Sequence, residues 1–429
     1  MVGNRRVVVT GLGLVTCLGL EVEENWGKLL KGVSGIGRPT LADTRNAPIQ
    51  AVGEVKPRDW QRIQAAFRED SMVEGERRTL YALWAAQSAL QDAKPLDGRG
   101  DPYRYGVALA AGLGINRIED LHRWTNETGQ FDYFRFGREC GEVHKESLMR
   151  NHSHRPAGLI AKKFRLHGTN VTVTSACASA TQAIGLAYRN IRRGDADLVV
   201  SGGADSMINP IGLIFFVLLK AASTSSEDPR SICRPFDRKR SGLVMGEGAA
   251  CVVLEELSHA LGRDARIYAE VVGYGSSMDA HRVTAPHPQG RGAAQSMQMA
   301  LRDAPIHHEE IDYINAHGTG TKQNDLVETI AIKTVFKEHA YRIPISSSKC
   351  MIGHLMAASG APEFVYTVLS VQRDEIHPTI NLSHPDPKCD LDYVADGRRL
   401  RPVRAALSNS FGFGGQNASI IVKKYDQRN

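Results

Sequence analysis

The sequence predicts an α/β protein with largely parallel sheets. Short runs rich in β-branched and small apolar residues alternate along the chain with segments whose apolar residues recur at helical spacing. After about residue 264 this series of strands and helices begins a second time. Alternating strands and helices are typical of parallel sheets covered by helices. The second series predicts two similar halves, residues 1–264 and 265–429.

In the first half, each predicted element follows from local pattern. Strands are predicted where apolar residues run together, at residues 6–10, 105–111, 171–175, 198–201 and 248–254. Helices are predicted at residues 23–31 and 76–91 and in the stretch that begins just after Cys177. Residues 115–156 are polar and rich in histidine and arginine, and they predict an inserted, partly helical cap.

The second half repeats this alternation. Strands are predicted at residues 266–274, 313–316, 343–347, 406–410 and 418–423, and helices at 292–304, 324–337 and 359–372. Cys177, His317, Lys349 and Phe413 each follow a predicted strand. Because functional sites of such sheets lie at the carboxyl ends of the strands, we expect these residues to gather at one place.

Composition limits the class of protein. With 429 residues, 42% hydrophobic and 23% charged, the chain is typical of a globular protein with two domains or fused halves. Seven cysteines without paired spacing argue against a disulfide framework or a metal site and predict a reducing, cytoplasmic location. Gly11 and Gly13 interrupt the apolar run after Arg5-Arg6, which favours a strand over a signal segment. The apolar run at 211–219 is too short for a bilayer about 30 Å thick, so no membrane insertion is expected.

The net charge of +6 indicates three classes of partner: nucleic acid, a membrane surface or an acidic protein. No dense block of lysine and arginine with interleaved aromatic residues is present, so nucleic acid is the least favoured. Most of the basic residues are expected to be ordinary solvated side chains.

Cys177 is the first candidate for chemistry. It lies where a predicted strand turns into a helix, and unpaired N–H groups and the helix dipole favour a thiolate there. His317 follows a strand within a glycine- and threonine-rich turn, and Lys349 and His354 lie in a serine, glycine and alanine segment. Taken alone, each could be an ordinary structural residue. Together they predict a cysteine nucleophile assisted by two imidazoles and a fixed positive charge.

A series of motifs in order makes this pattern specific. They are Val7-Val-Val-Thr-Gly-Leu-Gly, Thr174-Ser-Ala-Cys177-Ala-Ser, Pro235-Phe-Asp-Arg, Gly242-Leu-Val-Met-Gly-Glu-Gly, Asn315-Ala-His317-Gly-Thr-Gly-Thr, Ser348-Lys349 to Gly353-His354, and Asn409-Ser-Phe-Gly-Phe413-Gly-Gly. Across almost the whole chain the sequence resembles the β-ketoacyl-acyl-carrier-protein synthases, most closely the elongating type II condensing enzymes. The resemblance implies a thiolase-like fold, with two similar βα halves forming a layered α/β/α/β/α core.

The resemblance also implies roles at the reacting centre. Cys177 would take an acyl chain from an acyl carrier protein, and the N–H groups of Cys177 and Phe413 would form an oxyanion hole. Gly412 and Gly414 flank Phe413, which matches a gating residue. His317 and His354 would promote decarboxylation of malonyl carrier protein, and Lys349 would hold their geometry.

Other positions match supporting roles in the family. Thr319 and Thr321 would contact the pantetheine arm, Leu113 and Phe216 would lie along the acyl pocket, and Asp325 and Glu363 would support the catalytic groups. No metal and no cofactor is implied beyond the phosphopantetheine arm of the carrier protein. Candidate contacts for that acidic partner are Arg77, Arg78, Arg263 and Arg266.

Two departures from the family pattern leave alternatives open. Residues 147–158 are polar and basic where an apolar, pocket-lining segment is usual, and residues 215–219 are bulky. The sequence therefore allows fatty-acid or polyketide/polyene synthesis, and a homodimer or a heterodimer with a homologous chain-length partner. A non-condensing chain-length partner lacks the nucleophile, and Cys177 is present. Thiolases and starter-unit synthases use other base patterns than Lys349 with His354.

Overall fold

The structure is a computed structural model of the chain, and it describes residues 5–42, 44, 47–68, 76–94, 100–114, 122–142, 152–304 and 306–426. Residues 115–121 and 143–151 of the predicted cap lie outside these ranges. Within the cap, the structure describes a helix at Tyr133–Glu139. The predicted strands and helices of both halves are otherwise present, with bounds that differ at their ends.

The strands, numbered in chain order, are β1 (Val7–Val15), β2 (Val52–Gly53), β3 (Tyr105–Ala111), β4 (Asn170–Val173), β5 (Leu198–Asp205), β6 (Met245–Gly246), β7 (Gly248–Glu256), β8 (Ala269–Met278), β9 (Tyr313–Asn315), β10 (Ile345–Ser346), β11 (Glu375–Ile376), β12 (Arg399–Leu400), β13 (Ala405–Gly412) and β14 (Gln416–Lys423). The helices are α1 (Val22–Leu30), α2 (Pro57–Ala66), α3 (Arg77–Asp92), α4 (Tyr133–Glu139), α5 (Arg155–Phe164), α6 (Ser179–Arg193), α7 (Pro210–Leu218), α8 (Pro229–Ile232), α9 (Leu257–Gly262), α10 (Arg291–Asp303), α11 (Lys322–Phe336), α12 (Lys349–Ile352) and α13 (Gly360–Arg373).

A 10-stranded sheet runs in the order β10-β9-β13-β14-β8-β1-β7-β5-β3-β4. Read outward from its centre, the first half is β1, β7, β5, β3, β4 and the second is β8, β14, β13, β9, β10, so both halves have the same topology. In each half the three outer strands are parallel and the two inner strands run antiparallel to their neighbours. The halves meet where β1 pairs with β8. The sheet is therefore mixed rather than largely parallel, whereas the two similar halves are confirmed.

Helices cover the sheet in three layers. Helices α3 and α5 pack on the outer face of the first half, and α10 packs on β8 and β14 of the second half with α11 beside it. Helices α6 and α13 lie between the halves and contact strands of both. This is the expected α/β/α/β/α arrangement of a thiolase-like fold. Residues 264 and 265 lie between α9 and β8, and a domain boundary there remains a prediction.

Glycines on the inner strands allow this close layering. A Cβ at Gly11 or Gly13 on β1 would lie 2.1 Å from Ala89 O and 2.0 Å from Ala85 O of α3. Gly273 and Gly275 on β8 have the same relation to α10, where a Cβ would lie 2.3 Å and 2.0 Å from backbone oxygens. Gly11 and Gly13 thus lie inside β1, which extends to Val15 instead of ending at residue 10 as predicted.

In the part of the chain that the structure describes, we find no helix with both the length and the apolar character needed to cross a membrane.

Candidate active site

Cys177 lies in the turn between β4 and α6, as the sequence predicts. The preceding Ala176 has a φ of 49°, a left-handed conformation that is rare for residues with a side chain. This sharp turn places the thiol at the start of α6 while leaving Cys177 only 7% exposed. The nucleophile candidate therefore lies in a buried position at the carboxyl end of the first half's parallel strands.

The protonation state of this thiol differs from the sequence-based expectation. Burial raises the pKa of the Cys177 thiol to about 11, although a hydrogen bond from the Phe413 backbone N–H and the charge of Lys349 lower it in part. The unacylated site thus holds a neutral thiol near pH 7. The expected stabilised thiolate is wrong for this state, because desolvation outweighs the hydrogen bond and the positive charge.

His317 follows β9 and is fixed by Lys349. The Lys349 ammonium lies 3.3 Å from His317 Nδ1 and donates to the His317 backbone oxygen at 2.5 Å. Since an ammonium group has only donors, His317 Nδ1 accepts, and the ring proton resides on Nε2. Lys349 also forms a buried ion pair with Glu363 of α13.

His354 is fixed in the same tautomer by its own backbone. The Met356 N–H donates to His354 Nδ1 at 3.0 Å, and the Ser359 hydroxyl lies 3.0 Å from the same atom. His354 Nε2 therefore carries the proton. The backbone N–H of His354 donates to Val244 O at 2.7 Å, which anchors this segment beside β6.

The two imidazoles lie side by side. Their ring centroids are 5.3 Å apart and the rings are nearly perpendicular, at 87°. Burial lowers the pKa of both histidines well below the usual value, and the charge of Lys349 lowers it further. Both rings are therefore neutral at pH 7, and both line the same cavity as Cys177 with Nε2–H donors.

Phe413 closes one side of the thiol. Its backbone N–H lowers the pKa of the Cys177 thiol, and a Cβ on Gly412 would lie 3.0 Å from the Cys177 nitrogen. Gly414 has a φ of 79°, a conformation that glycine adopts without strain. The Phe413 ring stacks on Phe216 of α7, with centroids 6.5 Å apart. Phe216 was predicted to lie along the acyl pocket. In the structure it does not line the cavity, and it packs behind Phe413, which does.

A cavity of about 570 Å³ connects these groups. Cys177, His317, His354 and Phe413 line this cavity together with Thr319 and Thr321, whose hydroxyls lie 2.9 Å apart. This size suits an acyl chain or a slender arm. The threonines predicted to contact the pantetheine arm therefore line the same cavity as the thiol.

Leu113 does not occupy its predicted position. It is 66% exposed, beyond the end of β3, and is not among the residues that line the cavity. Strand β3 ends at Ala111, so Leu113 lies outside the sheet with its side chain largely exposed. Within one chain, Leu113 is therefore not part of the floor of the acyl pocket.

Asp325 holds the loop after β9 from behind. Its carboxylate accepts from the Phe236 N–H at 2.8 Å and the Gly320 N–H at 3.2 Å, and Arg240 lies 3.6 Å away. Burial raises the pKa of Asp325, and these donors oppose that rise. Asp325 thus positions the segment that carries His317 without contacting the cavity.

Glu328 is a site residue that the sequence analysis missed. Its buried carboxylate accepts from the N–H groups of His317 and Gly318, each at 2.8 Å. Burial raises the pKa of Glu328 to about 7, and these two donors act against it. Its spacing from Asp325 could have indicated it in the sequence, because residues three apart on a helix such as α11 share one face.

Three of the four arginines suggested for the carrier protein have other partners. Each pairs with a carboxylate of the same chain: Arg77 with Glu247, Arg78 with Glu76, and Arg263 with Glu255. The fourth, Arg266, is exposed and lies over the Tyr268 ring at 4.3 Å. The three paired arginines brace the first half of the fold and are therefore poor docking groups.

The polar segment before the nucleophile is described only from residue 152 onward. The His152 and His154 ring centroids lie 5.1 Å apart, and the Ser153 hydroxyl donates to Gly112 O at 3.0 Å. His144, another histidine of the predicted cap, lies outside the described residues. Among the described residues, no three histidine, cysteine, aspartate or glutamate side chains are grouped to hold a metal ion.

Comparison with known proteins agrees with this arrangement. The chain matches the β-ketoacyl synthase N-terminal domain over residues 4–260 and the C-terminal domain over residues 268–383. A 3-oxoacyl-[acyl-carrier-protein] synthase 2 of Synechocystis sp. is 40% identical over 423 residues, covering 98% of this chain and 99% of the relative.

Solved structures extend the likeness to three dimensions. One is a type II polyketide synthase acyl-carrier protein in complex with its ketosynthase, which is 33% identical with a TM-score of 0.88 and covers 99% of this chain and 100% of that one. Another is the ishigamide ketosynthase/chain length factor, 32% identical with a TM-score of 0.84 and the same coverage. Sequence and structure together place this chain in the β-ketoacyl synthase family.

Proposed function

We propose that this protein catalyses the decarboxylative condensation of malonyl-acyl carrier protein with an acyl chain held on Cys177, giving a 3-oxoacyl carrier protein. The observation that carries the proposal is the convergence of a buried thiol and two neutral Nε2–H donors on one cavity. The proposed reaction makes the protein an acyltransferase of the 3-oxoacyl-acyl-carrier-protein synthase type.

Acylation comes first. The Cys177 sulfur attacks the carbonyl of the incoming acyl thioester, and the N–H groups of Cys177 and Phe413 stabilise the oxyanion. The bond to the pantetheine sulfur breaks, and the thiol proton of Cys177 ends on that leaving sulfur. The step is neutral overall, which suits a thiol whose pKa is about 11. The attacking species is the thiolate, which forms transiently when the thiol gives up its proton, so a thiolate need not be present before the substrate binds.

Decarboxylation follows when malonyl carrier protein enters. The thioester oxygen of the malonyl group accepts from the Nε2–H groups of His317 and His354. The bond to the carboxylate breaks, carbon dioxide leaves, and the electron pair forms an enolate held by both donors. The nearby charge of Lys349, 3.3 Å from His317, further stabilises this anion.

Condensation completes the cycle. The enolate carbon attacks the acyl carbonyl on Cys177, a carbon–carbon bond forms, and the cysteine sulfur leaves with the electron pair. The Phe413 N–H is positioned to receive this thiolate, which takes up a proton to restore the neutral thiol. The glycines around Phe413 let the ring move aside for each substrate.

An acyl carrier protein is the substrate donor in this proposal, and the pathway is fatty-acid or polyketide/polyene synthesis. A relative named 3-oxoacyl-[acyl-carrier-protein] synthase 2 supports the first pathway, and type II polyketide ketosynthases support the second. The chemistry is the same in both. A cytoplasmic location, suggested by the unpaired cysteines, belongs to the same proposal.

The active form in this proposal is a dimer, with a second copy or with a homologous chain-length partner. Strand β4 is one of the two edge strands of the 10-stranded sheet and is only partly covered, and the Thr172 hydroxyl is buried without a partner among the described residues. An uncovered edge strand pairs readily with another strand. The position of Leu113 near this edge accounts for its exposure in a single chain.

A product assay with separated steps tests the function. Octanoyl carrier protein and malonyl carrier protein should give 3-oxodecanoyl carrier protein with the wild-type enzyme. His317→Ala and His354→Ala should still form the acyl-enzyme but lower condensation by at least about 100-fold, in line with losing a preorganised donor. The control is His384→Ala, since His384 lies away from the cavity lining and is 46% exposed. Condensation at the wild-type rate in either histidine variant would contradict the proposal.

A further inference from the structure

Asp205 is a buried carboxylate that none of the steps above uses. It is the last residue of β5, it is 2% exposed, and it is not among the residues that line the cavity. Its two oxygens accept from the N–H groups of Ser206 at 2.8 Å and Ala357 at 3.0 Å. Because Ala357 lies three residues after His354, Asp205 contacts the segment that carries this imidazole.

That segment contains a strained turn. Met356–Ala358 form a single 3-10 turn, and Met356 has a φ of 48°, a left-handed conformation that is unfavourable for a residue with a side chain. Such strain persists only where the surrounding structure holds it. In this conformation the Met356 N–H donates to His354 Nδ1, and the next N–H, that of Ala357, donates to Asp205. Two consecutive N–H groups thus link the imidazole to the carboxylate.

Close packing leaves Asp205 and the turn little freedom to move. A Cβ at Gly112 would lie 2.3 Å from the Asp205 carboxylate, and a Cβ at Gly203 on β5 would lie 3.1 Å from Ala358 Cα. Without the carboxylate, the Ala357 N–H would be buried without its acceptor. The turn could then satisfy this N–H only by changing conformation, and the Met356 N–H would move with it.

We propose that Asp205 is a positioning residue for His354. By accepting from Ala357, it keeps the turn in the conformation that directs the Met356 N–H to the imidazole. The inference rests on the proposed function, in which the Nε2–H of His354 stabilises the enolate. A neutral imidazole has one ring proton, so a ring without a donor at Nδ1 can hold the proton there. It then presents a lone pair to the enolate oxygen instead of a donor.

A direct effect of Asp205 on the nucleophile has a different signature. The negative charge of Asp205 raises the pKa of the Cys177 thiol, so removing that charge should not slow acylation. A misplaced His354 should slow only the steps that form and use the enolate. Acylation and condensation measured separately therefore distinguish the two effects.

Two variants displace the carboxylate in different ways. Asp205→Ala removes it, and Gly112→Ala adds a Cβ where the carboxylate lies while leaving Asp205 in the sequence. The matched control is Asp197→Ala, just before β5, whose carboxylate pairs with Arg5 and Arg104. Acylation by octanoyl carrier protein is followed by intact mass. Condensation is followed as a single turnover of the acyl-enzyme with malonyl carrier protein, and circular dichroism melts establish that each variant is folded.

Both variants should be acylated within about twofold of the wild-type rate and should condense about tenfold more slowly, in line with a misplaced catalytic group. Asp197→Ala should match the wild type in both steps. In a His354→Ala background, Asp205→Ala should cause no further loss, because no imidazole is left to position. In a His317→Ala background it should still cost about tenfold. A purely structural role would slow condensation in both backgrounds.

Condensation at the wild-type rate in either folded variant would overturn the positioning role, as would an equal loss in acylation or a further loss in His354→Ala. If Asp205→Ala does not fold, Gly112→Ala decides. In these cases the wild type still forms 3-oxodecanoyl carrier protein, so the proposed function stands. If the wild type forms no such product, the proposed function fails, and the role of Asp205 fails with it.

Discussion

At the scale of single residues, the Cys177 thiol is subject to opposing effects. Burial favours the neutral thiol, while the Phe413 N–H and the Lys349 charge favour the thiolate, and the pKa of about 11 shows that burial dominates. The two histidines are neutral for the same reason. The thiol and the two imidazoles are therefore neutral hydrogen-bonding groups at rest, and negative charge develops on the substrate and on the Cys177 sulfur only during the reaction.

This balance predicts the pH dependence of thiol alkylation. Because the pKa of Cys177 is raised to about 11, the thiolate fraction should increase about tenfold per pH unit across pH 6–9. The rate of Cys177 labelling by iodoacetamide, measured by intact mass, should rise accordingly without a plateau. Free cysteine serves as the reference compound. A plateau near pH 7 would mean that the thiolate is already formed. In that case the start of α6 would lower the pKa of the Cys177 thiol by more than burial raises it.

Individual residues also show how far sequence reasoning reaches. Cys177, His317 and Lys349 could be predicted to lie together because each follows a predicted strand and strand ends converge in this kind of sheet, whereas His354 was predicted from the serine, glycine and alanine segment that it shares with Lys349. Glu328 was missed because its contacts are with backbone N–H groups, which leave no residue-type signature. The resting thiol was assigned the wrong protonation state because desolvation depends on burial, which local sequence does not specify.

At the scale of elements, α12 and α13 act as one support for the imidazoles. Lys349 begins α12, Glu363 lies in the first turn of α13, and their ion pair is wholly buried. Burial raises the pKa of Glu363 to about 7, and Lys349 opposes that rise. Without Lys349, the Glu363 carboxyl group must either take up a proton or stay charged and buried without a cation.

Lys349→Met should therefore destabilise the fold more at pH 8 than at pH 5. A carboxyl whose folded pKa is raised above 4.5 contributes stability when protonated, and that contribution is lost as pH rises through the folded pKa. We expect a loss of about 3 kcal/mol at pH 8 and a smaller loss at pH 5, measured by urea denaturation.

The double variant Lys349→Met/Glu363→Gln supplies the control, since its glutamine needs no cation. It should recover most of the stability lost at pH 8 and show little dependence on pH. Equal destabilisation of Lys349→Met at both pH values, or no recovery in the double variant, would show that the ion pair does not govern the stability of α12 and α13.

Element boundaries show a second limit of sequence reasoning. Gly11 and Gly13 suggested that the strand ends at residue 10, yet both lie inside β1. Helix α3 packs so closely on β1 there that a Cβ at either position would clash with its backbone oxygens. The close approach belongs to the tertiary packing, so the local pattern around residue 10 could not reveal it.

At the scale of the whole molecule, the fold brings two repeated halves against a shared helical layer. The alternation of elements predicted this architecture, but the antiparallel inner strands and the β1–β8 junction depend on pairing between distant segments. Contacts between two chains are harder to predict from a single sequence. Leu113 and the edge of β4 are exposed here, and both acquire a role only in the proposed dimer.

A single substitution on β4 tests that dimer. The Val107 N–H donates to Thr169 O, so the alternation of the ladder directs the Thr172 N–H toward the free edge. Thr172→Pro removes this outward donor while leaving the inward hydrogen bonds of β4 in place. Wild type should sediment at about twice the chain mass of 47.0 kDa, and Thr172→Pro should sediment as a single chain.

Thr172→Ala is the matched control for the edge strand, because it removes the hydroxyl but keeps the N–H, and it should remain largely dimeric. Circular dichroism melts would establish that the proline variant is folded. A wild type that sediments as a single chain, or a Thr172→Pro variant that stays dimeric, would exclude β4 as the dimer contact.

The central claim is that Cys177 carries the acyl chain, and intact-mass spectrometry after incubation with octanoyl carrier protein tests it most directly. The wild type should gain the mass of one octanoyl group, located on Cys177 by peptide mapping, whereas Cys177→Ala should gain none. Cys233→Ala, which removes a buried thiol near Lys349, should be acylated like the wild type. An adduct that persists in Cys177→Ala, or that maps to another residue, would contradict the account.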